Sequence, residues 1–207
     1  MNFINLFIHP VKFFREIKEK EKISLIVPIV ILLIIGIVGG IRAGNAVPGL
    51  GVPEDQLAGI QALAVGVGIF SGIIGLGIAL VLKAGIFHFI LKKMKGIATF
   101  KLGVYVVGIG YFPKIFQGII NLLFPQPIDL ATVSQFDWVT VLAGIFSIFN
   151  IWQLFITIIG LSVVYGVSYR KTAIPVIGLE VVSAGIGLAI TWFSASAMTG
   201  LPTATVK

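Results

Sequence analysis

The sequence predicts an all-α fold: a polytopic membrane helical bundle of five transmembrane helices, preceded by a short cytoplasmic amphipathic helix. Three observations predict it. Hydrophobic residues make up 57% of the chain and charged residues 11%, with a mean hydropathy of +1.09. A soluble globule must cover itself with polar groups, and 15 Lys plus Arg with 8 Asp plus Glu are too few for 207 residues. The apolar residues fall into five runs near the roughly 20 residues that cross about 30 Å of hydrocarbon. Basic residues gather between those runs, on alternate connections, as topology signals do.

The first element is a cytoplasmic segment over residues 1–22. From Pro10 to Lys22 it reads as a helix with proline preset at its first position. Phe13, Phe14 and Ile17 share one face, and Glu16 with Lys20 and Arg15 with Glu19 sit four apart on the charged side. Such a helix can lie in the headgroups, with Phe13, Phe14 and Ile17 as its interfacial anchors and Phe3, Leu6 and Phe7 adding to them. The alternative for that face is docking of a cytosolic partner.

The bundle follows over residues 23–198, with spans at 23–41, 57–91, 102–124, 138–169 and 174–198, and a short extracytoplasmic tail at 199–207. Gly44 and Ala46 resemble a signal cleavage site, but the run before them is long enough to span, so the segment is expected to be retained. The second run outlasts the bilayer, which places its last turns, with Lys83 and His88, at the interface. Within it Ala64, Gly68 and Gly72 recur every four residues, a small-residue face that lets helix backbones approach. A hinge or pore lining through Gly66, Gly75 and Gly77 is the sharper alternative. The connections at 47–56 and 125–136 are Pro-rich or polar turns, too short to be domains. No internal repeat or low-complexity tract interrupts this single bundle.

Orientation follows from where Lys and Arg resist translocation. On one side lie Lys12, Arg15, Lys18, Lys20 and Lys22, then Lys92, Lys93, Lys95 and Lys101, then Arg170 and Lys171. The other side has Arg42 and Lys207 beside Glu54, Asp55, Asp129 and Asp137. The N-terminus is therefore expected in the cytoplasm and the C-terminus outside. Lys92, Lys93, Lys95 and Lys101 also form a candidate contact for anionic lipid, since a basic residue near a negative leaflet gains about 1 kcal/mol. Plain topology bias is the favoured explanation of these lysines.

Ionisable groups at depth carry more information, because each is costly in hydrocarbon unless paired or hydrated. Lys114 lies mid-way along the third span, directly after Pro113, and Glu180 lies about two turns into the fifth. Both helices run outward, and Lys114 should sit about 7 Å deeper, with its side chain leaning back toward the carboxylate. Asn150, Gln153 and Thr157, extended by Ser147, place a polar face at similar depth on the fourth span. The expectation is a buried polar cluster of Lys114, Asn150, Gln153 and Glu180, acting either as structural glue or as part of a ligand or ion path.

Other chemistry is excluded on residue types. A chain without cysteine has no disulfide, thiolate metal site or Cys nucleophile. His9 and His88 are far apart and lack carboxylates at ligand spacing, so no metal site is expected. With Glu180 the lone acid in hydrocarbon and no phosphate-binding or nucleophile motif, neither an enzyme nor a cofactor is expected. The net charge of +7 belongs to membrane loops, so nucleic acid is not an expected partner. Membrane lipids, protein partners at the cytoplasmic face and a second copy of the chain are.

Three stretches resemble the Yip1 domain family of five-span membrane proteins. They are the opening FINLFIHPVKFFREIKEK, the third span KLGVYVVGIGYFPKIFQGIINLLF with Lys101, Tyr111 and Pro113 placed as in the family, and SIFNIWQLFITIIGLSVVYGVSYRKTAIPVIG with its Trp-bearing span and basic turn. The resemblance implies the five-span fold and a role in membrane organisation or vesicle trafficking. Eukaryotic relatives bind prenylated Rab-type GTPases and carry a longer cytosolic N-terminal region with a short acidic-apolar motif. Only 22 residues precede the first span here, which resembles the bacterial and archaeal members and implies a prokaryotic cytoplasmic membrane.

Overall fold

A backbone in hydrocarbon must satisfy its own hydrogen bonds, and helix does this within one segment. The computed structural model describes residues 3–20, 23–125, 144 and 146–199, and contains no strand among them. In chain order the helices are α1 (Ile4–Ile8), α2 (Pro10–Lys18), α3 (Ile26–Ala46), α4 (Glu54–Lys93), α5 (Phe100–Gly110), α6 (Phe112–Leu123), α7 (Ile148–Tyr165) and α8 (Tyr169–Thr199), with a 3-10 turn at Val47–Leu50. Five stretches are long and apolar enough to cross a membrane: α3 with its 3-10 turn, α4, α5 together with α6, α7, and α8. The expected start of the fourth span at Trp138, the loop before it and the tail from residue 200 lie outside the described residues.

The third span is broken rather than continuous. Pro113 opens α6 and supplies no N–H, so the chain tightens around it. Tyr111 N donates to Gly108 O at 3.2 Å and Lys114 N to Tyr111 O at 2.9 Å.

α3 and α4 form an antiparallel hairpin fitted together by glycine. A Cβ at Gly40 would lie 2.6 Å from Ile69 N and 2.7 Å from Val65 O; one at Gly68 would lie 2.9 Å from Gly40 Cα. Gly72 faces Gly36 in the same way, at 3.5 Å. Gly68 and Gly72 thus lie on the α3 contact, and Ala64 continues their stripe, half-buried. Gly66, Gly75 and Gly77 have nothing within 4 Å and face away from the bundle.

This register supplies a depth scale. With Gly36 against Ile73 and Gly40 against Ile69, the start of α3 at Ile26 stands level with Lys83. The remaining ten residues of α4 run on for about 15 Å past that level. There they meet the start of α5 and the end of α7, at the basic end of the molecule.

Phe13, Phe14 and Ile17 are not headgroup anchors. They are 0%, 0% and 1% exposed, inside the core beside Leu6. The reason is a notch on α7, where a Cβ at Gly160 would lie 2.8 Å from Phe14 Cζ and 2.5 Å from Val106 Cγ1. The apolar face of α2 therefore finds protein, an aromatic-sized vacancy between α5 and α7, before it finds lipid. Phe13 and Phe14 meet edge to face with centroids 5.2 Å apart. The outward apolar surface of this segment is instead on α1, where Ile4, Phe7 and Ile8 are exposed and Phe7 also touches Trp152 and Phe112.

Candidate functional site

The polar groups between the helices lie on two levels. At the upper level, beside the start of α3, Lys83 Nζ on α4 donates to Glu180 Oε1 on α8 at 2.6 Å. The same ammonium stands 5.9 Å from the centroid of the Tyr111 ring, at the break in the third span. This ion pair ties α4 to α8. It is partly accessible, with side-chain exposures of 17% for Lys83 and 31% for Glu180.

The lower level is set by Lys114. Gly118 faces Val38, so Lys114 stands level with Ile34, about 12 Å below the start of α3. Its Nζ donates to Asn150 Oδ1 on α7 and to Gln117 Oε1 one turn along α6, the latter at 3.1 Å. Gln117 Nε2 donates in turn to Ser147 Oγ at 3.4 Å. Ser147 caps α7 by accepting from Asn150 N at 3.3 Å, which places Asn150 on the first turn facing α6. Asn150 Nδ2 donates to Gly144 O at 2.7 Å.

Of the expected cluster, Lys114 and Asn150 are brought together, whereas Glu180 is taken by Lys83 and not by Lys114. The cause is level and neighbour. α8 lies against α4 and α7, and α6 lies against α3 and α7, so the lysine beside Glu180 is the one on α4. Glu180 acts on Lys114 and Tyr111 only through its field. Gln153 is buried against α5, its carbonyl accepting from Thr157 Oγ1 at 2.8 Å, and Gln117 stands beside Lys114 in its place. Gln117 is legible as a partner, being three residues from Lys114 on one helix.

At the basic end, Lys92, Lys93, Lys95 and Lys101 are all exposed around the turn from α4 to α5. Lys93 Nζ sits 4.4 Å over the Phe89 ring, and Lys95 takes a left-handed φ of 63° so that Gly96 N can reach Leu91 O at 2.8 Å. Beneath them His88 Nδ1 lies 2.8 Å from Tyr165 Oη, and Ile97 N donates to Tyr165 O at 3.0 Å, tying this turn to the end of α7. Tyr165 was not legible as a tie from spacing alone.

No solved structure matches the chain. It is similar to an uncharacterized protein of Methanocaldococcus jannaschii, with 30% identity over 138 residues that cover 65% of this chain and 94% of that one. The Yip1 domain matches residues 4–191, from α1 to the body of α8, and so takes in both polar levels and the two N-terminal helices. The chain belongs to the Yip1 family of membrane proteins.

Proposed function

We propose that this protein is a non-enzymatic organiser of the membrane, whose bundle gathers lipids or protein partners at the cytoplasmic face in a membrane-organisation or trafficking role. The observation that carries the reading is that the charged groups between the helices are engaged by partners inside the bundle. Lys83 holds Glu180, and Lys114 is held by Asn150 and Gln117. Polar groups engaged in this way join helices, as hydrogen-bonding side chains in bilayers commonly do. The basic residues of α2, of the α4–α5 turn and of the α7–α8 turn gather at one end. That end is the cytoplasmic one by the inside-positive rule, in a prokaryotic cytoplasmic membrane with the C-terminus outside. Lys92, Lys93, Lys95 and Lys101 then face the headgroups of the inner leaflet, and a second copy of the chain is a compatible partner.

A small transporter or channel is the rival, favoured by the 31% exposure that the Glu180 side chain keeps. Purified protein in sealed proteoliposomes separates the two. The organising role predicts no ion or metabolite flux above protein-free vesicles; a flux abolished by Glu180→Gln or Lys114→Met replaces it with the transporter.

A further inference from the structure

Seating Phe14 in the Gly160 notch carries the charged face of α2 over the last turn of α7. Between α2 and the turn into α8 this leaves a groove of about 490 Å3, within the range of small-ligand sites (~300–1,000 Å3). Arg15 and Lys18 form one wall, one helical turn apart, and Val163, Val167, Ser168 and Tyr169 line the other. The frame is firm. Gly166 takes a φ of 69° to end α7, the Ser162 hydroxyl donates to Val167 O at 2.6 Å, and Lys18 Nζ donates to Val163 O at 3.3 Å.

Two further facts narrow the ligand. Neither Arg15 nor Lys18 has an acidic partner among the described residues; the Glu19 carboxylate expected to pair with Arg15 does not. The groove also has a defined depth. Gly108 abuts Pro28 near the start of α3, and Gly160 abuts Val106, so with the hydrocarbon edge at the start of α3 residues 162–169 lie about 3–10 Å beyond it. That is the headgroup layer, which brings the bilayer from about 30 Å to roughly 40–45 Å.

We propose that this groove binds the phosphate headgroup of an anionic phospholipid from the adjoining leaflet. Arg15 offers a planar fork to two phosphate oxygens, and Lys18 adds a point charge. The Ser168 hydroxyl donates a hydrogen bond, while Val163, Val167 and the Tyr169 ring take the glycerol and the first methylenes of the acyl chain. A free phosphate matches the cations but leaves the apolar wall unused. The inference rests on the membrane reading and not on the organising role, so solute flux would overturn that role and leave the groove untouched.

The test is native mass spectrometry of the full chain released from nanodiscs holding equal phosphatidylglycerol and phosphatidylcholine, with detergent-solubilised protein titrated in parallel with inorganic phosphate and an oligoglutamate peptide. Wild type should retain phosphatidylglycerol selectively. Arg15→Gln with Lys18→Gln should lower that selectivity roughly tenfold or more, as the loss of two cations at a negative surface requires, while Arg42→Gln, exposed at the opposite end of the bundle, keeps it. Both groove side chains are exposed, so an unchanged thermal midpoint will certify the fold. Equal retention by the groove variant overturns the proposal, as does binding of inorganic phosphate without lipid selectivity, or of the peptide in place of lipid.

Discussion

Asn150→Leu should destabilise the bundle by about 2–3 kcal/mol, because it strands an ammonium in hydrocarbon. Among the described residues Lys114 is the deepest charge, and Asn150 is its partner from another helix. Leucine fits the space but offers no acceptor, and Gln117 alone leaves part of the charge uncompensated. Adding Lys114→Met removes the charge itself and should return most of the loss. The measurement is unfolding in mixed micelles, followed by tryptophan fluorescence. Losses that simply add in the double variant would mean that Asn150 acts through its other bonds, that to Gly144 O among them, and not through the lysine.

Gly40→Val should cost about 3 kcal/mol or more, at the upper end of what overpacking does. A Cβ there meets Ile69 N and Val65 O at 2.6 and 2.7 Å, and neither backbone atom can rotate away. The two helices must separate along their length, and van der Waals contact is what holds helices together in lipid. Gly66→Val and Gly77→Val, on open faces of α4, should change stability by less than about 1 kcal/mol, since nothing is displaced there. Equal tolerance at positions 40 and 66 would mean that α3 and α4 do not meet at this face.

What could be read without coordinates was set by period and length. The five spans are visible because lipid demands long apolar runs, and the shared face of Phe13, Phe14 and Ile17 follows from helical spacing. What that face touches does not follow, since headgroups and a notch beside Gly160 both accept an apolar surface. Gly68 and Gly72 were legible as a small-residue face, and their partner was written into the chain as well. Gly36, Gly40 and Gly44 repeat at the same interval one span earlier. The partner of Glu180 was harder. Lys83 and Lys114 both lie within an arm's length in depth, and the choice depends on which helix lies against α8, a property of the whole bundle. The break at Tyr111 was signalled by Pro113, yet an apolar run continuing on both sides disguises it as one straight span.

The claim at the centre is that Lys83 and Lys114 are each matched, at their own level, by a partner on a neighbouring helix. Double-mutant cycles of unfolding free energy test it most directly, one on Lys83→Met with Glu180→Gln and one on Lys114→Met with Glu180→Gln. A clear favourable coupling is predicted for Lys83 with Glu180 and a much smaller one for Lys114 with Glu180. A larger coupling for Lys114 than for Lys83 would contradict the arrangement.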